Sequence, residues 1–373
     1  MRFLTALLLL VTTAAQASEG GLLPGLTSAP LSVAVTLSGS KLSLDGFVIR
    51  PDRPGRFPLV VMVHGTPSLR GDAFFRELVK RSPVDFNTPA IAFAQRGYAA
   101  VTIMRRGFGR SDGAYAEDLR DDCDYLPAVR ISGQDVLAAL ASLRREAWVD
   151  ADHIVLLGHS TGGLAATAAA AENPAGVVAV LNFDGGRHSP SRSGQMCSPD
   201  SLVDTWAALG RVGRIPALWI YAENDRSYGP DLARRMFGAY SAGGAPAQLQ
   251  VLPPFGSDGH DLITKASPEN WLPAVAPFLA GLGLPVDPVI TLPPPPDLPS
   301  PPGALPVCRK AFADYLAYRS DAKAFAMAAR GGCGGGVGRT IDEARANALA
   351  DCAANTRGAA CRLYATGQRL AED

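Results

Sequence analysis

The sequence has no net charge and no long apolar run. Its 35 lysine and arginine residues are balanced by 35 aspartate and glutamate residues, which argues against a surface for nucleic acid or anionic membrane. The apolar run from Phe3 to Val11 is shorter than the ~20 residues that a membrane-spanning helix needs, and no other stretch is long enough. Cysteine is scarce, at six residues, and none has zinc-finger spacing.

The N-terminus instead has the pattern of a targeting segment. Arg2 precedes the apolar run, and Ala15-Gln16-Ala17 places small residues at the two positions that a signal peptidase reads. We expect residues 1–17 to be a signal peptide cleaved after Ala17, with an uncleaved anchor as the alternative. The mature protein is then secreted or periplasmic, and its six cysteines are expected to form disulfides.

The chain divides near residue 285. Its 373 residues, 47% of them hydrophobic, suit a large α/β domain and a smaller one. A proline-rich tract that includes Pro293 to Pro296 favours polyproline II and forms a semi-rigid spacer. We predict a main domain over 18–284, a linker over 285–306 and a small module over 307–373, which the linker holds away from the main domain.

Short apolar runs alternate with helical segments in the main domain, which predicts a doubly wound, mostly parallel α/β sheet. The predicted strands are 58–63, 98–104, 153–157, 177–182, 217–221 and 248–252. Residues 31–37 and 41–49 alternate in polarity and predict an antiparallel hairpin at the sheet edge. A helix is predicted from about Ser132, where Asp135 follows in a pattern like a capping box.

The segment Gly158-His159-Ser160-Thr161-Gly162 follows one of these strands. It fits G-x-S-x-G, in which the serine occupies a strained turn and the glycines let the backbone pass close by. The alanine-rich stretch after Leu164 is a strong helix former. Strand, tight turn and helix together predict that Ser160 is a nucleophile rather than part of a structural turn.

A serine nucleophile needs a base that is oriented by an acid. Asp225 follows the 217–221 strand and is the predicted acid; Asp184 and Glu223 are the alternatives. His260, in the loop after the 248–252 strand, is the predicted base. Asp258 and Asp261 are too close to His260 in sequence to be its usual partner.

The other four histidines are weaker candidates for the base. His159 adjoins the serine but is expected to point away from the substrate side, His153 starts a strand at its far end, and His188 lies in a loop. His64 is expected to anchor its loop. The oxyanion of acyl transfer needs donors, and we predict the backbone N–H groups of Thr66 and Thr161.

These residues together resemble the α/β-hydrolase superfamily over about residues 30–284, including Arg106-Gly107-Phe108-Gly109-Arg110-Ser111-Asp112-Gly113. The most similar branches are the dienelactone-hydrolase, acyl-peptidase and X-prolyl-peptidase-like serine esterases. The resemblance implies the order Ser160, Asp225, His260. Arg106 and Asp112 either fix their loop or contact substrate.

Two insertions are expected to shape the pocket, at residues 71–94 and 186–211. The second is expected to be a lid, and topology suggests a Cys123–Cys197 disulfide at its rim. In the module, a strand at 323–328, a helix capped at Thr340 and a strand at 360–365 predict a strand–helix–strand unit. Cys308–Cys333 and Cys352–Cys361 are the expected disulfides; the module resembles small secreted bacterial modules of unknown role.

The leading hypothesis is therefore a secreted serine hydrolase that cleaves carboxylic esters through an acyl-enzyme. The alternatives are a serine exopeptidase or amidase of the same fold, and an inactive envelope-binding protein. No metal or organic cofactor is implied. The expected partner is a small ester or peptide substrate, with cell-envelope contact through residues 307–373 left open.

Overall fold

The computed structural model describes residues 23–119, 123–188 and 196–371. The predicted signal peptide lies outside these residues. Within them, no helix combines the length and the apolar character needed to cross a membrane.

The main domain is built on one sheet of eight strands in the order β1-β2-β4-β3-β5-β6-β7-β8. The strands are β1 (Leu26–Leu37), β2 (Ser40–Pro51), β3 (Phe57–Val63), β4 (Ala99–Ile103), β5 (Val149–His159), β6 (Val177–Phe183), β7 (Ala217–Ala222) and β8 (Ala247–Leu252). The six strands β3 to β8 run parallel, whereas β1 and β2 pair antiparallel and β2 pairs antiparallel with β4. The predicted mostly parallel sheet and its edge hairpin are confirmed.

Helices cover both faces of this sheet. They are α1 (Gly71–Leu78), α2 (Asn87–Ala94), α3 (Leu126–Leu143), α4 (Thr161–Ala171), α5 (Pro199–Val212), α6 (Pro230–Ala242), α7 (Leu262–Lys265) and α8 (Leu272–Gly281). Val61 of β3 lies in the core shared with α3 to α6, and its neighbour Met62 lies in the core shared with α2 and α8. Both faces of a central parallel strand are buried, which explains its continuous apolar sequence.

Helix α3 begins at Leu126, six residues before the predicted start at Ser132. Ser132 and Asp135 are buried inside the helix. The Asp135 carboxylate accepts hydrogen bonds from the backbone and the side chain of Arg106, at 2.9 and 2.7 Å. Asp135 therefore does not cap the start of the helix, as its spacing from Ser132 suggested, but forms an ion pair with a residue distant in sequence.

The module forms a second sheet of four strands in the order β10-β9-β11-β12. Its elements are α9 (Pro306–Ala317), β9 (Lys323–Ala328), β10 (Cys333–Val337), α10 (Ile341–Asn355), β11 (Cys361–Thr366) and β12 (Arg369–Leu370). The predicted strand–helix–strand unit is present, together with α9 and two further strands that were not predicted. Disulfides join Cys308 to Cys333 and Cys352 to Cys361 in the module, and Cys123 to Cys197 in the main domain.

The proline-rich tract does not hold the module away from the main domain, contrary to the expectation from composition. The backbone N–H groups of Val289 and Ile290 both donate to the Gln95 carbonyl, at 2.8 and 3.0 Å. In the module, the largely buried Arg339 forms an ion pair with Asp45 of β2. The Tyr318 hydroxyl donates to the Val84 carbonyl at 3.2 Å. The module is thus docked through buried polar contacts.

Candidate active site

Ser160 lies in the sharp turn between β5 and α4, with φ 57° and ψ −125°. A non-glycine residue with positive φ is strained. The turn closes only because its neighbours are glycines: a Cβ on Gly158 would lie 2.1 Å from the Gly162 carbonyl oxygen, and one on Gly162 would lie 2.0 Å from that of Val63. The strand–turn–helix context predicted from the sequence is confirmed.

The loop after β3 passes directly beside the serine. A Cβ on Gly65 would lie 3.0 Å from the Ser160 Cβ. The candidate oxyanion donors therefore come from two segments that converge on Ser160: Thr66 follows Gly65 in this loop, and Thr161 is the first residue of α4. The positive end of the α4 dipole is directed to the same place.

His64 anchors this loop, as expected. Its Nε2 accepts from the Arg105 backbone N–H at 3.0 Å, so Nδ1 carries the proton and donates to the Gly65 carbonyl at 2.7 Å. Burial, followed by the charge of Arg105, lowers the pKa of His64 well below its usual value. The imidazole is therefore a neutral structural brace.

A buried ion network lies behind the loop and was not predicted from the sequence. Glu117 accepts from Arg105 Nε at 2.5 Å and from Arg187 Nη1 at 3.0 Å. Arg105 also donates to the His64 carbonyl at 2.5 Å and to Thr161 Oγ1 at 3.3 Å. Burial alone would raise the pKa of Glu117, but the two arginine charges lower it below its usual value. The network ties the loop after β3 to the start of α4.

Asp225 and His260 meet across the loops that follow β7 and β8. His260 Nδ1 lies 3.2 Å from Asp225 Oδ2, and the Asp225 side chain is fully buried. Asp225 Oδ1 accepts from the backbone N–H groups of Ser227 and Tyr228, at 2.6 and 2.9 Å. Burial alone would raise the pKa of Asp225, but His260 and these two amides lower it. Asp225 is thus an ionised acceptor for the imidazole.

The alternative acids occupy different environments. Glu223 is exposed. Asp184 follows β6 and is fully buried; one of its carboxyl oxygens and one ring nitrogen each of His159 and His260 lie within 4.8 Å of one another. Among the described residues this is the one group of His, Cys, Asp and Glu side chains close enough together to be considered for a metal ion, but His159 Nε2 and His260 Nδ1 already contact the His260 carbonyl and Asp225.

The contacts of His159 give it a supporting role that sequence reasoning missed. Its Nε2 donates to the His260 carbonyl at 2.7 Å, and the two rings are 4.8 Å apart. Burial, followed by the His260 charge, lowers the pKa of His159 to about 3. The neutral imidazole of His159 thus holds the turn that carries the candidate base. The one sequence signal for this role is the position of His159 next to the serine in the motif.

Of the two remaining histidines, His188 lies near the candidate base His260 and His153 does not contact it. His153 is exposed and pairs with Asp150 at 2.8 Å. His188 lies close to Tyr228, with ring centroids 5.1 Å apart, and Tyr228 lies 5.4 Å from the His260 ring. Burial lowers the pKa of His188 to about 4. His188 and Tyr228 therefore form one wall beside the candidate base.

Two predicted loop features are also present near the site. Arg106 binds Asp135, and Asp112 Oδ2 accepts from the Ser43 backbone N–H at 2.8 Å, so both fix their loop. The Cys123–Cys197 disulfide joins the segment before α3 to the segment before α5. Part of the predicted lid, residues 189–195, lies outside the described residues.

Comparison with known proteins supports this architecture. Residues 84–182 match the Hydrolase_4 family, described as serine aminopeptidase, S33; the match includes Ser160 and ends before Asp225 and His260. No curated protein matches the chain significantly.

Three solved structures illustrate the similarity. Dipeptidyl peptidase 4 of Porphyromonas gingivalis is 13% identical, with a TM-score of 0.50 over 69% of this chain and 35% of its own, and shares the fold. A Klebsiella pneumoniae protein described as a dienelactone hydrolase has a TM-score of 0.45 and 18% identity, covering 69% of this chain and 99% of its own. An acetyl xylan esterase from Paenibacillus sp. R4 has a TM-score of 0.47 and 17% identity, covering 69% and 85%.

The fold, the turn at Ser160 and the family match define an enzyme of the serine-hydrolase class. The chain has the α/β-hydrolase fold, and residues 84–182 match a family of serine hydrolases.

Proposed function

We propose that the protein is a secreted or periplasmic carboxylesterase with the triad Ser160, His260 and Asp225. The observation that supports this most directly is the contact of His260 Nδ1 with the buried, ionised Asp225. It lies at the same edge of the sheet as the strained Ser160 turn. A hydrogen bond from Nδ1 fixes the tautomer in which Nε2 is free to accept a proton.

In this mechanism Ser160 Oγ attacks the ester carbonyl carbon while His260 Nε2 takes its proton. The backbone N–H groups of Thr66 and Thr161 hold the oxyanion, which is the largest electrostatic contribution that such sites make. His260 then gives the proton to the departing alkoxide, leaving an acyl-serine. Water that gives a proton to His260 attacks the acyl-serine, the acyl group leaves as a carboxylic acid, and His260 returns the proton to Ser160 Oγ. No metal or organic cofactor takes part in these steps.

The direct test is labelling by a fluorophosphonate, which reacts with an activated serine. Wild type should be labelled, and Ser160→Ala should lose both labelling and hydrolysis of p-nitrophenyl acetate while keeping its melting temperature. Ser68→Ala is the matched control, since Ser68 is an exposed serine near His188, and should still be labelled. A folded wild-type protein that is not labelled would instead support the inactive-binding alternative.

A serine exopeptidase is the second candidate, because the matched family model is described as a serine aminopeptidase. The same triad would cleave an amide, with His260 protonating the leaving amine. Comparing kcat/KM for p-nitrophenyl acetate with that for aminoacyl p-nitroanilides separates the two. Faster cleavage of an anilide than of the intrinsically more reactive ester would assign peptidase activity.

Secretion is part of the proposal and has its own test. When the full chain is produced with its native N-terminus, the exported protein should begin at Ser18. Retention of Met1 in the mature protein would show that the segment is an anchor.

A further inference from the structure

A second carboxyl group lies beside the candidate triad acid. Asp184 is the first residue after β6, and β6 pairs with β7, whose following loop carries Asp225. Its φ of 51° is strained for an aspartate, and its backbone N–H donates to the Ile220 carbonyl at 2.9 Å. The side chain is fully buried. The backbone thus holds the carboxyl group in place.

No donor among the described residues satisfies this carboxyl group: neither Asp184 oxygen accepts a hydrogen bond from them. The nearby protons are committed elsewhere. His159 Nε2 donates to the His260 carbonyl, His260 Nδ1 faces Asp225, and the Tyr221 hydroxyl donates to the Gly185 carbonyl at 2.7 Å. A buried carboxylate without a donor is very costly, and it would adjoin a second negative charge.

The titratable groups that face Asp184 come from three segments. They are His159 at the end of β5, Tyr221 and Asp225 in and after β7, and Asp258 and His260 after β8. Of these groups, Asp225 raises the pKa of Asp184 the most, by its negative charge and by a hydrogen bond that only a protonated carboxyl can make. Because Asp225 is ionised and accepts every hydrogen bond that it makes, the proton between the two carboxyl groups has to come from Asp184.

We propose that Asp184 is a neutral carboxylic acid whose O–H donates a hydrogen bond to Asp225, which makes it a positioning residue for the triad acid. Burial raises the pKa of Asp184 well above its usual value, and the charge and hydrogen bond of Asp225 raise it further. The Ala222 backbone amide lowers this pKa by a smaller amount, but it does not complete a hydrogen bond to either Asp184 oxygen. The role assigned to Asp225 rests on the proposed function, whereas the protonation of Asp184 does not.

Protonation makes a prediction about stability. The unfolded chain ionises Asp184 near pH ~3.9, whereas the folded protein keeps it neutral to a higher pH. Between these pKa values the unfolded state binds fewer protons, so this group makes folding less favourable as pH rises. Asp184→Asn removes the penalty. Its melting temperature relative to wild type should therefore rise progressively as pH is raised from 4 to 8.

The comparison uses the Ser160→Ala background, so that it is independent of catalysis. Asp52→Asn, at an exposed aspartate, is the control and should show no such trend. The proposal would be overturned if the difference in melting temperature between Asp184→Asn and its parent did not change with pH, or decreased as pH rises. If the asparagine variant does not fold, Asp184→Ser, which also carries an uncharged donor, replaces it.

The pH dependence of kcat/KM tests the hydrogen bond itself. With a neutral Asp184, Asp184→Asn should leave the acid limb of the profile in place. Asp184→Ala should move the limb to higher pH, because Asp225 loses a donor and attracts the His260 proton more strongly. An ionised Asp184 predicts the opposite, since either substitution would remove a negative charge near His260 and move the limb to lower pH. If Asp184 only fills space, the acid limb should stay in place in both variants. An acid limb that does not move in Asp184→Ala therefore also contradicts the proposal.

Discussion

Replacing Asp225 by asparagine should cost far more activity than the loss of one charge. Oδ1 of Asp225 faces two backbone N–H donors, those of Ser227 and Tyr228, so the asparagine carbonyl oxygen must occupy that position. The amide NH2 group then replaces Oδ2 and faces His260 Nδ1. Facing a donor, Nδ1 becomes the acceptor and the proton moves to Nε2, where the imidazole can no longer accept the serine proton.

The expected loss is about 10⁴ in kcat, as in other triads that hold the wrong tautomer. It corresponds to about 5 kcal/mol of transition-state stabilisation. The assay is kcat for p-nitrophenyl acetate at pH 7.5, with the melting temperature measured in parallel to show that the variant is folded.

Two other aspartates provide controls. Asp258 accepts from the backbone N–H of His260 at 3.1 Å rather than from its ring, so Asp258→Asn should cost about tenfold or less, the value of one cap or hydrogen bond. Asp184→Asn should also lose far less than Asp225→Asn. A loss in Asp225→Asn below tenfold, or a greater loss in Asp184→Asn, would refute this reasoning and assign the acid to the loop after β6.

Three further predictions concern the module and His159, which supports the candidate base. A chain that ends at Pro285 should unfold with a free energy lower by at least ~3 kcal/mol in urea titration, because it removes one partner of a buried ion pair; unchanged stability would show that the docked arrangement contributes nothing. Lys323 donates to three carbonyls at the end of α9, so Lys323→Met should cost about 2–3 kcal/mol, against ~0.5 kcal/mol or less for the exposed Lys310→Met; equal effects would contradict a capping role. His159→Leu should lower kcat about tenfold by freeing the His260 carbonyl, and wild-type turnover would remove His159 from the supporting structure.

The sequence by itself determined the features that depend on local geometry. The tight turn at Ser160 could be predicted from the sequence, because such a turn needs glycine at positions 158 and 162, where a Cβ would meet backbone atoms. The apolar runs were recognisable because strands buried on both faces require them. Parallel strands end at one sheet edge, so the sequence could predict that Asp225 and His260 lie at the same edge as Ser160.

Contacts between distant segments were decided by the tertiary structure. Asp135 was interpreted as part of a helix start because Ser132 precedes it at the right spacing, whereas burial and Arg106 give it an interior position. The proline-rich composition suggested a free spacer, but the hydrogen bonds of the tract to Gln95 and the ion pair of Arg339 with Asp45 bring the module against the main domain.

The two aspartates after β6 and β7 show the same division most clearly. Both follow apolar strands, so the sequence offered each as the triad acid. Both side chains are buried. Asp225 faces two backbone N–H donors and an imidazole, whereas neither oxygen of Asp184 accepts a hydrogen bond from the described residues. The ionisation of a carboxyl group depends on the groups that face it in space, and neither its residue type nor its position along the chain specifies them.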